Sequence, residues 1–145
     1  MRLFEIKQVL SAKEARAALL HYADAVGQTD FNTLIPVLAK HFPNAVYKGK
    51  MMRATADPTR KFKKGQYYSW SKSDQGLNAA IDDLHNGTDT LAVYQQTGTG
   101  IDVNAVLGKH DHSNEEEIVA KTDKTIKLEY IIRDGAIIRC WNVCY

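Results

Sequence analysis

The sequence predicts a mixed domain in which helices come first and strands follow. A capping-box signature opens an amphipathic run near residue 11, and helical spacing gives way to short strand-like runs after residue 43. Turn-forming residues punctuate the later apolar runs. At 145 residues the chain can bury a core of its own, and 1–145 reads as one domain with a helical part at 1–43 and a sheet part at 44–145.

Ser11-Ala12-Lys13-Glu14 is the capping box, and Ala15, Ala18, Leu19, Tyr22, Ala23 and Val26 follow with helical spacing until Gly27. Asp30 or Asn32 caps a second, short helix carrying Leu34, Ile35, Leu38 and Phe42; Pro36 is tolerable only in its first turn, and Pro43 closes it. Ala45-Val46-Tyr47 and Met51-Met52-Arg53-Ala54 then read as short runs flanking Lys48-Gly49. A polar loop over 55–65 leads to Tyr67-Tyr68-Ser69-Trp70-Ser71. A helix from Ser73 or Asp74 turns Leu77, Ala80, Ile81 and Leu84 inward and stops at Asn86-Gly87. Residues 90–96 read as a strand and 98–114 as a long loop. Ile118-Val119-Ala120, 125–132 and 136–143 are the closing strands, the last two joined by the hairpin turn Arg133-Asp134-Gly135.

Charge and composition narrow the function classes. Lys+Arg 19 against Asp+Glu 17 is no nucleic-acid footprint. Charges interrupt the apolar N-terminal stretch, and no run reaches membrane-span length, so neither a signal peptide nor a membrane partner is expected. Cys140 and Cys144 fall in one strand with Cα atoms roughly 13 Å apart, beyond the ~7 Å limit of a disulfide. Free thiols in a reducing, cytoplasmic compartment are the expectation.

The most informative run is Ser113-Asn114-Glu115-Glu116-Glu117-Ile118-Val119. In an extended segment Glu115 and Glu117 share a face and Glu116 takes the other. Taken alone, the three carboxylates read as a solvated strand end or a helix first turn. Combined with Arg53 and with Ser69-Trp70-Ser71, they suit chemistry that separates a positively charged leaving group from a sugar.

The order of these motifs resembles the Arg-Ser-Glu signature of mono-ADP-ribosyltransferases: Met52-Arg53-Ala54 on an early strand, Tyr68-Ser69-Trp70-Ser71 before a helix, and Glu115-Glu116-Glu117 entering a late strand. It covers roughly 45–145. The resemblance implies an α+β fold in which two small antiparallel sheets form an NAD cleft, with the N-terminal helices packed outside. It also implies NAD as co-substrate without a metal, and a target protein modified on arginine. Small members include phage transferases and bacterial toxins, so a bacterial host cytoplasm is a second expected location.

By the same resemblance, Glu117 stabilises the oxocarbenium ion that forms as nicotinamide leaves, and Glu115 orients or deprotonates the acceptor. Ser69 holds Glu117 through a hydrogen bond. Arg53 offers its fork to the NAD phosphates or adjoining ribose. Trp70 and Ser71 join the NAD-binding set, Trp70 either walling the nicotinamide site or packing in the core. The family arginine often precedes glycine, so Lys48-Gly49 competes with Arg53 for that position. The same residues also fit an NAD glycohydrolase, a nucleic-acid ADP-ribosyltransferase, or a catalytically silent binding module.

Three further segments need a role. Arg60-Lys61-Phe62-Lys63-Lys64 is either a solvated loop or a contact for NAD phosphates, an acidic protein or RNA. His110-Asp111-His112 lacks the further ligand a metal needs and better suits the acceptor surface. Gly98-Thr99-Gly100 lacks the strand-turn-helix setting of a dinucleotide fingerprint.

Overall fold

The computed structural model describes residues 10–24, 30–56, 61–84, 90–110, 113–133 and 136–139. Helix α1 (Ala12–Ala23) starts on the expected capping box. Ser11 Oγ accepts from the Glu14 amide at 3.1 Å, and the Glu14 carboxylate accepts from the Ser11 amide at 3.1 Å. Helix α2 (Phe31–His41) is capped by Asp30, which accepts from the Asn32 amide and the Thr33 hydroxyl. Pro36 lies inside this helix, beyond the first turn that the sequence reading allowed it. Asn32, whose carbonyl Pro36 cannot serve, and Pro36 itself are both exposed, so water can take the place of the missing amide.

Six strands follow: β1 (Val46–Thr55), β2 (Tyr67–Ser71), β3 (Thr90–Asp102), β4 (Glu117–Lys121), β5 (Lys127–Arg133) and β6 (Ala136–Arg139). All their pairings are antiparallel, in the order β1-β2-β4-β3-β5-β6 with a further β1–β3 pairing. The β1–β3 ladder closes β1, β2, β4 and β3 into a ring, from which β5 and β6 extend as a wing. The fold is thus mixed, with one continuous antiparallel sheet where the sequence reading expected two.

One long-range ladder overrides local punctuation in two places. Lys48-Gly49 does not divide β1, because ten residues of it pair with β3 from Val46↔Ile101 to Thr55↔Ala92. That ladder also carries β3 through Gly98-Thr99-Gly100 to Asp102, into the stretch read as a loop. Gly100 is required there, since a Cβ would lie 2.5 Å from the Val119 carbonyl oxygen of β4. On the opposite edge of β3 the partner changes from β5, ending at Gln95, to β4, beginning at Gly100. Buried Gln96 seals the gap: its side chain donates to the Lys121 carbonyl at 2.9 Å and accepts from the Asp123 amide at 2.8 Å. The rest of the expected loop contains helix α4 (Val103–Leu107), capped by Asp102, and a 3-10 turn at Ser113–Glu115.

Helices α1 and α2 cover one stretch of the sheet, where Leu19, Leu34 and Leu38 meet Ile101 and Val119. Helix α3 (Asp74–Leu84) covers another, with Leu77 and Ile81 against Met52, Ala54, Leu91 and Val93. The candidate site lies where β1, β2 and β4 run between these helical covers. Val26, Gly27, Arg60, Asn86-Gly87, Asp111, His112, Asp134-Gly135, Cys140 and Cys144 lie outside the described residues, as does the side chain of Leu84. Among the described residues no helix is long and apolar enough to cross a membrane.

Candidate functional site

Strands β1 and β2 share one registered pair, Met52↔Ser71, and Arg53 follows it directly. From there the Arg53 guanidinium reaches β2, donating from Nη1 to the Ser69 carbonyl at 2.7 Å, with its Cζ 5.7 Å from the Tyr68 ring centroid. Arg53 lines a cleft of about 170 Å³ with Ser69, Ser71 and Glu115, closed on one side by Ala80 of α3. Lys48 is exposed and pairs with Thr99 toward the far end of β1, away from the cleft. The structure therefore puts Arg53, not Lys48, with the serines.

The three glutamates do not alternate along a strand. Ser113–Glu115 forms the 3-10 turn, Glu116 adopts a left-handed φ of 48°, and β4 begins only at Glu117. This backbone sends the carboxylates three ways. Glu115 lines the cleft, Glu116 accepts from Ser73 Oγ at 2.7 Å, and Glu117 accepts from the Tyr22 hydroxyl. Ser73 Oγ also accepts from the Gly76 amide at 3.1 Å, so one hydroxyl both supports the first turn of α3 and holds Glu116. Gly76 lets α3 sit directly on the acidic turn, for a Cβ there would lie 2.4 Å from the Glu115 carbonyl oxygen. Mutual repulsion is relieved by this dispersal, and the sequence expectation of a same-face Glu115–Glu117 pair on a strand is corrected.

Tyr22 is the residue that the sequence reading missed. Its hydroxyl donates to Glu117 Oε2, and the Ser69 side chain lies beside the same phenol. In register, Ser71 stands opposite Glu117 and Ser69 opposite Val119. Glu117 thus takes its hydrogen bond from Tyr22, in place of the expected one from Ser69. Burial foremost, and then the neighbouring Glu117 charge, push the Tyr22 phenol far above the usual tyrosine range. The Ser69 hydrogen bond and the Arg53 charge pull it the other way. Tyr22 was read only as one apolar position on the α1 stripe. The signal available was its hydroxyl, since a tyrosine packed on a core face usually brings a partner for its O–H.

Trp70 does not wall the cleft. It is 1% exposed and packs with Met51, Tyr68, Ile118 and Ala120, stacked on Phe62 at 5.8 Å between centroids. It alternates with Ser69 and Ser71 along β2 and so faces away from them. Of the basic run, Phe62 joins this core while Lys61, Lys63 and Lys64 are exposed. His110 is drawn back to α4, its Nε2 lying 2.8 Å from Asn104 Oδ1, while Asn104 Nδ2 donates to the Ser113 carbonyl at 2.8 Å. Among the described residues no group of three or more His, Cys, Asp or Glu is placed to hold a metal ion.

Ser69 and Glu117 thus come from neighbouring strands to one tyrosine hydroxyl, with Arg53 bonded to the Ser69 backbone and its charge felt at that hydroxyl. A fixed guanidinium, a hydroxyl and a carboxylate beside a small cleft can orient a polar ligand and stabilise positive charge appearing on it. No family model, curated protein or solved structure matches the chain.

Proposed function

We propose that the chain is an NAD-dependent mono-ADP-ribosyltransferase that transfers ADP-ribose to a protein, with arginine as the acceptor. The observation carrying this reading is that Ser69 and Glu117 lie on neighbouring strands beside the Tyr22 hydroxyl, with Arg53 bonded to the Ser69 carbonyl and Glu115 at the adjoining cleft. The resemblance between the motif order and the Arg-Ser-Glu signature supplies the reaction class.

In this reaction the bond between the ribose anomeric carbon and the nicotinamide nitrogen breaks, and nicotinamide leaves with the electron pair. Glu117 would face the resulting oxocarbenium ion through Oε1, because Oε2 already accepts from Tyr22. A guanidino nitrogen of the acceptor then bonds to the anomeric carbon, and Glu115 takes its proton. Arg53, held to β2 through the Ser69 carbonyl, would bring its positive charge to the phosphates or adjoining ribose. A cleft of about 170 Å³ is below the ~300–1,000 Å³ of typical ligand sites, so it suits one ring or sugar of the dinucleotide.

Incubation with NAD labelled in the adenylate moiety and a bacterial lysate tests the reading. Labelled protein that disappears with Glu117→Gln is the expected result. Label on nucleic acid or as free ADP-ribose would assign one of the sister activities, and NAD left intact would remove the reading.

A further inference from the structure

Along the face of β2 that carries Ser69, the preceding residue is Tyr67, about 7 Å away at two residues of strand rise. Tyr67 walls a groove of about 600 Å³ between the start of α2 and the turn before β2, with Asp30, Phe31, Lys63 and Lys64 among its lining. The Phe31 and Tyr67 rings lie 6.0 Å apart between centroids, and Lys121 Nζ stands 5.3 Å from the Tyr67 ring. Phe31 meets Tyr22 edge-on at 4.8 Å, which joins the groove to the Tyr22, Ser69 and Glu117 cluster.

We propose that this groove binds a nucleoside monophosphate unit. Resting on the transferase reading, that unit is the adenylate half of NAD, with the nicotinamide riboside end in the Arg53, Ser69 and Glu115 cleft. The Phe31 and Tyr67 rings line the groove, where an aromatic wall can receive a base. Exposed Lys63 and Lys64 supply cations for phosphate. Asp30 accepts from Asn32 and Thr33, yet its two oxygens retain lone pairs for ribose hydroxyls or an exocyclic amine. The groove thus carries cations for a phosphate and a carboxylate for a sugar or base. At about 600 Å³ it falls within the range of small-ligand sites, which the cleft does not. A ligand too long for the cleft finds this second compartment on the same strand face.

Calorimetric titration of the whole chain with AMP tests the site, with a short single-stranded oligonucleotide as the competing probe. Saturable AMP binding is expected, weakened roughly tenfold by Tyr67→Leu through lost stacking. The double variant Lys63→Ala/Lys64→Ala should weaken it comparably and leave the fold intact, because the Lys63 contact to the Tyr68 hydroxyl is made by its backbone amide. No AMP binding, or equal affinity in the lysine variant, overturns the proposal. Tighter binding of the oligonucleotide than of AMP, lost in the same variants, overturns it in favour of a nucleic-acid groove. AMP binding that responds to both variants without any NAD consumption keeps the mononucleotide site and removes the transferase reading together with the adenylate-half assignment.

Discussion

The Tyr22 hydroxyl of α1 donates a hydrogen bond to Glu117 Oε2 at the start of β4, joining positions 95 residues apart. This bond sets the direction of the Glu117 carboxylate, with the Ser69 side chain beside the same phenol. Tyr22→Phe keeps the ring and its edge contact with Phe31 and removes only this hydroxyl. NAD cleavage should fall by up to ~10²-fold, the scale of a carboxylate displaced by about an ångström. The KM for NAD should change little, because Tyr22 acts through Glu117. A loss of thermal stability with an unchanged kcat would make Tyr22 a packing residue only.

The raised phenol also has a signature in pH. Unfolded tyrosine ionises near pH 10, whereas folded Tyr22 holds its proton to higher pH. Below pH 10 both states keep the proton, and its contribution to stability is constant. Above pH 10 the unfolded state alone releases it, so stability falls as pH rises, by up to about 1.4 kcal/mol per pH unit from this one group. Burial also raises Tyr67 and Tyr130, but both remain in Tyr22→Phe, so the difference between the two proteins isolates Tyr22. Urea unfolding between about pH 8 and 11 should show a shallower alkaline decline in the variant. Parallel declines would contradict the burial of this hydroxyl against Glu117.

Arg53 holds β2 through the Ser69 carbonyl and lines the cleft. Arg53→Lys keeps the charge but loses the planar fork, so it cannot grip a phosphate and the Ser69 carbonyl in the same geometry. NAD affinity should drop roughly tenfold, about what one charge-assisted hydrogen bond contributes. Lys48→Ala, at an exposed position away from the cleft, should leave affinity unchanged. Calorimetry giving the reverse order would return the motif to Lys48.

What was legible in the sequence was local or chemical. Ser11 and Glu14 announce a helix start through their own hydrogen bonds, and Asp30 does the same for α2. Arg53 and Ser69 stand out in the sequence because their residue types match a chemistry. What escaped depends on partners distant in sequence. Gly98 and Gly100 look like loop punctuation, yet the β1 ladder and the approach of Val119 make them strand. Period-two alternation fails across 115–117 because Glu116 turns left-handed beside Ser73. Tyr22 hid in a correct helical stripe, since periodicity reports which face is buried and not what a hydroxyl meets there.

The carboxylates should divide the reaction between them. Glu117 holds the Tyr22 hydrogen bond at the strand start, while Glu115 lines the cleft from the turn before it, so the two carboxylates are held separately, and on the transferase reading Glu117 serves the sugar and Glu115 the acceptor. Glu117→Gln should lower both hydrolysis and transfer at least ~10²-fold through loss of one electrostatic stabiliser. Glu115→Gln should lose arginine transfer and keep hydrolysis in water. Equal losses of both activities in both variants would remove the division.

Gly76 offers a way to move Glu115 without altering any carboxylate. A Cβ at this position would meet the Glu115 carbonyl oxygen at 2.4 Å and the Glu116 Cβ at 2.9 Å, so Gly76→Ala must push the acidic turn away from α3. Both obstacles belong to the turn's own residues and neither is a flexible side-chain end, so the turn has to shift as a piece. Overpacking of this kind costs about 1–3 kcal/mol, measurable as a lower urea midpoint. Glu117 is anchored separately by Tyr22 and by the Ser71 register, and should stay in place. Gly76→Ala should therefore reduce transfer to arginine by a larger factor than NAD hydrolysis, reproducing the bias of Glu115→Gln with every site residue present. Hydrolysis that falls as far as transfer would mean that Glu115 and Glu117 move together, and that the left-handed Glu116 does not separate them.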